Sequence, residues 1–330
     1  MKKLILVLAV VSAVMVVFCS ASFAKDLVKV RMNMGHPPWF LWSDYLAGIK
    51  QGYFAAEGID LELIPAGGSS DGVLMVGEEK DQFISTTAAP IIIGKGNGMD
   101  LVGVASISDA GYSGGLFFSE ESGINTPADL KGKKIAYNPR SADCPAFLAF
   151  LKKQKLYGQV TLVSVFADNQ MRVFLSGDVD AYAGFYSAEK GKLNKSEMKG
   201  KWKSFLFKDY GVKLPAPAIA ANGKFLRQNP KIVEGFVRAV LKSHRFGMES
   251  EEHEKYATQL LMQVDPGLDY DIELDRLKQT HKVAQFSARP GYSDETIWNE
   301  AIKMFLDAGF IKNGFKASEL VTNEFIPKEK

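Results

Sequence analysis

The chain is poor in residues suited to covalent or metal chemistry. Its 330 residues include two cysteines and four histidines, and no two of these histidines have a spacing typical of metal ligands. Basic residues exceed acidic ones by only two, so no positive surplus favours binding to nucleic acid. Beyond the amino terminus, no segment is long and apolar enough to cross a membrane. We therefore expect no metal, no cofactor and no nucleic-acid partner.

The amino terminus has the pattern of a secretory signal. A basic start precedes fifteen mostly apolar residues at 4–18, and Ala24 ends a small-residue cleavage site. A membrane span needs about 20 such residues, so we expect residues 1–24 to be a cleavable signal peptide of a periplasmic protein. Lipidation of Cys19 is the alternative. Phe18 argues against it, because lipoprotein processing requires a small residue there.

The rest of the chain alternates strand and helix patterns, which is typical of an α/β fold. Two segments are predicted to cross between two lobes: Asp109–Gly115 is rich in glycine, and Leu214–Pro217 contains two prolines. They would enclose residues 113–216 as lobe 2, inserted into a lobe 1 made of residues 25–112 and 217–330. Two rigid lobes on a hinge can close over a ligand held in the cleft between them.

Small polar residues follow two predicted strands, where the next helix starts. Ser43–Asp71 is predicted to contain one helix, one strand and a glycine turn that leads to Ser69 and Ser70, and Thr86 and Thr87 follow the next strand. Unpaired backbone N–H groups at a helix start favour a polar or anionic ligand. We predict that these four side chains contact a ligand. Ordinary helix capping is the alternative.

A second corner of this kind follows the strand pattern at residues 134–137. It contains Asn138, Arg140 and Ser141, and a guanidinium at this place can pair with a carboxylate or sulfonate. We predict that all three contact a ligand, with a solvated surface arginine as the alternative for Arg140. The nearby Cys144 lies in an apolar helix and is expected to be a packed residue.

An aromatic loop follows the first predicted strand. Trp39 and Trp42 lie within Gly35–Trp42, and we predict that they form a stacking wall for a flat ligand. The alternative is a loop that packs onto its own lobe. Tyr186, which follows a later strand, and Ser113, in the first crossing, complete the predicted site.

Several short motifs occur in a recognisable order: Gly52–Phe54 with Glu57–Gly58, Gly68–Ser70, Thr126–Lys134, Leu175–Ala181, Ala221–Phe225 and Thr322–Pro327. The order resembles the periplasmic substrate-binding proteins of ABC importers for nitrate, aliphatic sulfonates and thiamine-pyrimidine precursors. The resemblance implies a type II periplasmic-binding-protein fold, in which two α/β lobes are joined by two crossovers. It also implies a monomer that delivers a small molecule to a membrane permease with its ATPase.

Two other functions remain open from the sequence. A pyrimidine-precursor synthase shares the fold implied by the resemblance, but such enzymes are cytoplasmic and use a cysteine-rich motif and histidines near the site. A sensory protein that presents its ligand to a receptor is the third hypothesis, and the chain has no fused signalling segment to support it. We therefore expect a binding protein and not an enzyme. Its ligand would be flat or aromatic. Whether the ligand carries an anionic group or a pyrimidine ring stays open.

Overall fold

The computed structural model describes residues 27–107, 114–166, 169–284 and 289–328. The predicted signal peptide, Ser113 and most of the predicted first crossing lie outside these residues. The described strands are β1 (Val28–Asn33), β2 (Ile59–Ile64), β3 (Phe83–Thr86), β4 (Leu101–Ser106), β5 (Gly114–Ser119), β6 (Lys134–Tyr137), β7 (Thr161–Ser164), β8 (Ala181–Phe185), β9 (Trp202–Leu206) and β10 (Ala218–Asn222).

The α-helices and short 3-10 helices connect these strands. The α-helices are α1 (Ser43–Lys50), α2 (Tyr53–Ala56), α3 (Ser69–Gly77), α4 (Ala88–Gly96), α5 (Cys144–Lys153), α6 (Asn169–Leu175), α7 (Tyr186–Lys195), α8 (Gly223–Gln228), α9 (Pro230–Met248), α10 (Glu251–Val264), α11 (Tyr270–Val283) and α12 (Glu295–Asp307). The 3-10 turns are Phe40–Trp42, Glu120–Ser122, Pro127–Leu130, Phe207–Tyr210 and Ala317–Glu319. None of the described helices has the length and hydrophobicity to span a bilayer.

The strands form two five-stranded sheets with the same plan. Their orders are β2-β1-β3-β10-β4 and β7-β6-β8-β5-β9. In each sheet one strand, β10 or β5, runs antiparallel to both of its neighbours. The remaining pairs, which join β1 to β2 and β3 and join β6 to β7 and β8, are parallel. The predicted α/β class is confirmed.

We define each lobe by the sheet that it contains. Lobe 1 is the first sheet with the helices of residues 27–107 and 218–328, and lobe 2 is the second sheet with the helices of residues 114–214. The predicted bounds of the two lobes stay a prediction. The lobes pack on each other through α7 and α11, and Phe40, Ala188 and Leu277 belong to one buried cluster there.

Two sequence expectations are corrected by the structure. The helix predicted at the start of Ser43–Asp71 breaks into α1 and α2 at Gly52, whose φ of 72° is accessible to glycine. Two glycines assigned to the first crossing, Gly114 and Gly115, belong to β5.

Candidate functional site

A cavity of about 260 Å³ lies where the two lobes face each other. Lobe 1 lines it with aromatic, polar and charged side chains: His36, Trp39, Phe40, Asp44, Ser69, Thr86, Thr87, His244, Arg276, Thr280 and His281. Lobe 2 adds Asn138, Ser141, Asp143, Gln170, Phe185, Glu189 and Lys192. The enclosure comes from both lobes, so relative movement of the lobes would open or close the cavity.

The structure brings six of the predicted site residues to the cavity wall: Trp39, Ser69, Thr86, Thr87, Asn138 and Ser141. Four other predicted residues do not line it: Trp42, Ser70, Arg140 and Tyr186. Ser113 lies outside the described residues. Whether the six bind a ligand stays a prediction.

The aromatic loop after β1 presents Trp39 to the cavity and holds its indole N–H away from any ligand. Trp39 Nε1 donates to His36 Nε2 at 2.8 Å, and His36 Nδ1 pairs with the Pro37 carbonyl at 2.8 Å. Burial lowers the pKa of His36 to about 4, so the ring is neutral and its Nε2 can accept. Because its N–H is used, Trp39 can offer a ligand only its ring face.

Trp42 points into lobe 1 instead. It is buried with Val30 and Tyr45 in the cluster beneath β1, and its indole N–H has no partner among the described residues. The 3-10 turn Phe40–Trp42 directs the two tryptophans to different sides. Of the predicted stacking wall, Trp39 alone reaches the cavity.

The helix starts of lobe 1 contact lobe 2. The Ser70 N–H donates to the Arg140 carbonyl at 3.4 Å, and the Thr87 hydroxyl donates to the Ala142 carbonyl at 3.3 Å. Gly68 permits this approach, because a Cβ there would lie 2.5 Å from the Arg140 carbonyl oxygen. The Arg140 guanidinium is 3.4 Å from the Asp71 carboxylate, and both side chains are exposed. These contacts form a rim that holds the lobes together.

Three polar side chains of the lobe 2 wall pair with groups of the same lobe. Asn138 Oδ1 accepts the Arg140 N–H at 3.1 Å, and the Ser141 hydroxyl donates to the Asn138 carbonyl at 2.8 Å. Gln170 Nε2 donates to the Ala183 carbonyl at 2.7 Å. Asp143 is buried, and burial raises its pKa to about 6.

Tyr186 and Cys144 lie in the packing of lobe 2. The Tyr186 ring is 6.2 Å from the Phe117 ring and 6.3 Å from the Trp202 ring, within a hydrophobic cluster. Cys144 is buried, and burial raises the pKa of its thiol to about 12. The expectation of a packed cysteine agrees with this environment.

The C-terminal helices bring charged groups to the cavity that the sequence did not predict. Asp44 Oδ2 lies 2.8 Å from His244 Nδ1 and 3.0 Å from His281 Nε2, and His281 Nδ1 lies 3.0 Å from Glu254. Burial opposes the Asp44 charge, but the two histidines hold its pKa well below the usual range. Burial likewise disfavours the His281 charge, and Asp44 and Glu254 together outweigh this effect and raise the His281 pKa.

Arg276 and Glu273 tie α11 to the aromatic loop. The Glu273 carboxylate accepts the Phe40 N–H at 2.7 Å and pairs with the Arg276 guanidinium. The same guanidinium lies 5.8 Å from the Trp39 ring centre. A Glu–Arg pair three residues apart is typical of an exposed helix face, so the sequence carried no signal that this pair is buried.

The amino-acid sequence matches a family model described as NMT1/THI5 like over residues 42–253. A formylaminopyrimidine-binding protein of Halalkalibacterium halodurans is 23% identical, covering 71% of this chain and 72% of the relative. The riboflavin-binding protein RibY of Chloroflexus aurantiacus is 22% identical, covering 91% and 87%. A 4-amino-5-hydroxymethyl-2-methylpyrimidine phosphate synthase of Candida albicans is 26% identical, covering 60% and 61%. Binding proteins and an enzyme are therefore both among its relatives.

Solved structures show the fold. The alkanesulfonate-binding protein SsuA from Xanthomonas axonopodis pv. citri, bound to MOPS, has a TM-score of 0.69 with this chain. It is 15% identical, and the match covers 91% of this chain and 100% of that one. At this identity the likeness concerns the fold, and the predicted periplasmic-binding-protein fold is confirmed.

Proposed function

We propose that this chain, which belongs to the NMT1/THI5-like family, is the solute-binding component of an ABC importer. The observation that carries the proposal is the cavity between two lobes, into which both lobes direct side chains. Relatives that are named as binding proteins for formylaminopyrimidine and riboflavin support it. Closure over the ligand would then give one ligand-bound conformation that a membrane permease can bind.

The cavity favours a small, flat and neutral ligand. Its volume of about 260 Å³ is below the ~300–1,000 Å³ of sites for drug-sized ligands, and the Trp39 ring face offers stacking. The cations at the wall are compensated: Arg276 by Glu273, Lys192 by Glu189 at 3.4 Å, and His281 by Asp44 at 3.0 Å. A nitrate or sulfonate would need an uncompensated cation, so we favour a single-ring nitrogen heterocycle such as a pyrimidine.

We further propose that the protein is a monomer exported to the periplasm, where it serves a permease with a cytoplasmic ATPase. The amino-terminal signal pattern supports export. The relatives that are named as binding proteins support a role in uptake.

The synthase is the second candidate, because one relative is a pyrimidine phosphate synthase. Two observations favour binding over catalysis. The Cys144 thiol is buried with a raised pKa, so it supplies no thiolate. His36 and His281 reach the cavity wall with both ring nitrogens paired to protein groups, and His244 has its Nδ1 paired to Asp44. A cytoplasmic location together with iron bound to the purified chain would favour the synthase.

The test is a thermal-unfolding screen of the mature chain against formylaminopyrimidine, riboflavin, MOPS and nitrate. A ligand that binds only the native state stabilises it by RT ln(1 + [L]/Kd), about 2.7 kcal/mol at 100 times Kd. We expect formylaminopyrimidine to raise the melting temperature most, and native mass spectrometry to detect a heterocycle that co-purifies with the chain. No shift with any of the four compounds and no co-purified molecule would contradict a binding function.

A further inference from the structure

Several buried polar atoms at the lobe 1 side of the cavity have no partner among the described residues. They are Asp44 Oδ1, Thr86 Oγ1, His244 Nε2, Arg276 Nε and Thr280 Oγ1. Asp44 Oδ1 occupies the space beside Gly247, where a Cβ would lie 2.0 Å from it, so it is covered by α9. The other four belong to residues that line the cavity, and a ligand that bonds them would recover the free energy that their desolvation costs.

Arg276 supplies a fixed donor. Its side chain is 5% exposed, and Glu273 holds one end of the guanidinium and compensates its charge. The Glu273 carboxylate is itself held by the Phe40 N–H at 2.7 Å. The Arg276 Nε–H remains available for an acceptor atom of a ligand that lies beside Trp39.

His244 supplies a ring nitrogen. Asp44 Oδ2 is an ionised carboxylate oxygen and can only accept, so the hydrogen of their 2.8 Å bond is on His244 Nδ1. The Nε2 of the same ring is buried and has no partner among the described residues. Asp44 is held in turn by His281, which Glu254 holds from the other side. The orientation of the His244 ring is therefore set by a chain of buried contacts.

We propose that Arg276, His244, Thr280 and Thr86 form a polar subsite that reads a ligand edge with a hydrogen-bond donor and an acceptor, as an amide or an aminopyrimidine has. The proposal rests on the proposed binding function and names the chemistry of that same site. Arg276 gives a donor, His244 offers its Nε2, and the two threonine hydroxyls can donate or accept. Nitrate and sulfonates carry acceptors alone, so they could not donate to a threonine oxygen of this subsite.

The test compares the isosteric variant Thr280→Val with the control Thr258→Val. Thr258 is a buried threonine on the neighbouring helix α10, and its hydroxyl donates to the Glu254 carbonyl at 2.8 Å, away from the cavity wall. Titration calorimetry with formylaminopyrimidine should show about tenfold weaker binding for Thr280→Val and under about twofold change for Thr258→Val. Affinity for MOPS should change by less than about twofold in both variants.

Arg276→Lys provides a second arm, because it keeps a cation beside Glu273 and removes the Nε donor. We expect it to weaken formylaminopyrimidine binding by about tenfold, with a smaller effect on MOPS. If the wild type binds formylaminopyrimidine and both variants bind it equally well, the subsite is wrong and the binding function stands. If the wild type binds none of the four compounds and carries no co-purified ligand, the binding function fails and the subsite fails with it. Should Arg276→Lys lower the melting temperature, the Thr280→Val result decides.

Discussion

The two walls of the cavity differ in how their polar groups are satisfied. On the lobe 2 side, Asn138, Ser141 and Gln170 pair with protein groups of their own lobe. On the lobe 1 side, Thr86, His244 and Arg276 carry buried atoms without partners among the described residues. Under the proposed function, lobe 1 would recognise the ligand and lobe 2 would close over it.

The walls also differ in their buried acids. Asp44 of lobe 1 is ionised between two histidines, while Asp143 of lobe 2 is buried with a pKa raised to about 6. Because the pKa of Asp143 is raised, the folded state favours the neutral carboxyl over the charged one. The contribution of Asp143 to the free energy of unfolding is therefore lost as pH rises from 3.8, its ordinary pKa, through about 6. The lowered pKa of Asp44 has the opposite consequence, because its contribution is lost as pH falls.

The largest effect is expected when each of these two acids is replaced by asparagine. Asp143→Asn should match the wild type near pH 4 and become more stable as pH rises, by up to roughly 3 kcal/mol at pH 7. Asp44→Asn should be less stable than the wild type throughout pH 4 to 8, because the lowered pKa of Asp44 keeps its paired carboxylate ionised over this range. Urea unfolding of the three proteins from pH 4 to 8 measures both differences. A stability curve of Asp143→Asn that runs parallel to that of the wild type would contradict the contrast between the walls.

The next effect tests the rim that brings the walls together. Gly68→Ala would place a Cβ 2.5 Å from the Arg140 carbonyl of lobe 2, although the extended backbone of Gly68 accepts any residue. Overpacking of this kind costs roughly 2 kcal/mol, and the cost falls on the contact between the lobes because lobe 1 itself is unstrained. The affinity for formylaminopyrimidine should therefore fall by about 30-fold. The matched control is Gly67→Ala, whose Cβ would have Asp71 Oδ2 as its nearest neighbour at 3.1 Å.

Titration calorimetry gives the two affinities, and small-angle scattering with saturating formylaminopyrimidine reports closure. Gly68→Ala should remain more open than the wild type under the same conditions. Equal affinity and equal dimensions for Gly68→Ala and Gly67→Ala would mean that the rim does not control closure.

The smallest effect compares one hydroxyl from each wall. Thr86→Val removes an unpaired hydroxyl, so it should weaken formylaminopyrimidine binding by about tenfold. Ser141→Ala removes a hydroxyl that already donates to the Asn138 carbonyl, so affinity should change by less than about threefold. Both affinities are measured by calorimetry at one pH. The reverse order, with Ser141→Ala the weaker binder, would assign recognition to lobe 2.

Local sequence patterns predicted the strands and helices better than the side chains of the cavity walls. The alternating residues of Ile59–Ile64 predicted β2, and the corner after β6 was predicted to reach the cleft, where Asn138 and Ser141 line the cavity. The sequence could not tell Trp39 from Trp42, because a 3-10 turn decides which one faces inward. Arg276 was missed because its burial depends on Glu273, whose partner Phe40 is 233 residues away in the chain. Local periodicity carries no information about such contacts.

A crystal structure of the mature chain with formylaminopyrimidine would show which lobe recognises the ligand. We expect a ring stacked on Trp39, with its polar edge bonded to Arg276 Nε, His244 Nε2 and a threonine hydroxyl of lobe 1. We also expect Asn138 and Ser141 to keep their bonds within lobe 2. A ligand whose polar atoms are held by Asn138, Arg140 and Ser141, with the lobe 1 atoms still unpaired, would contradict recognition by lobe 1.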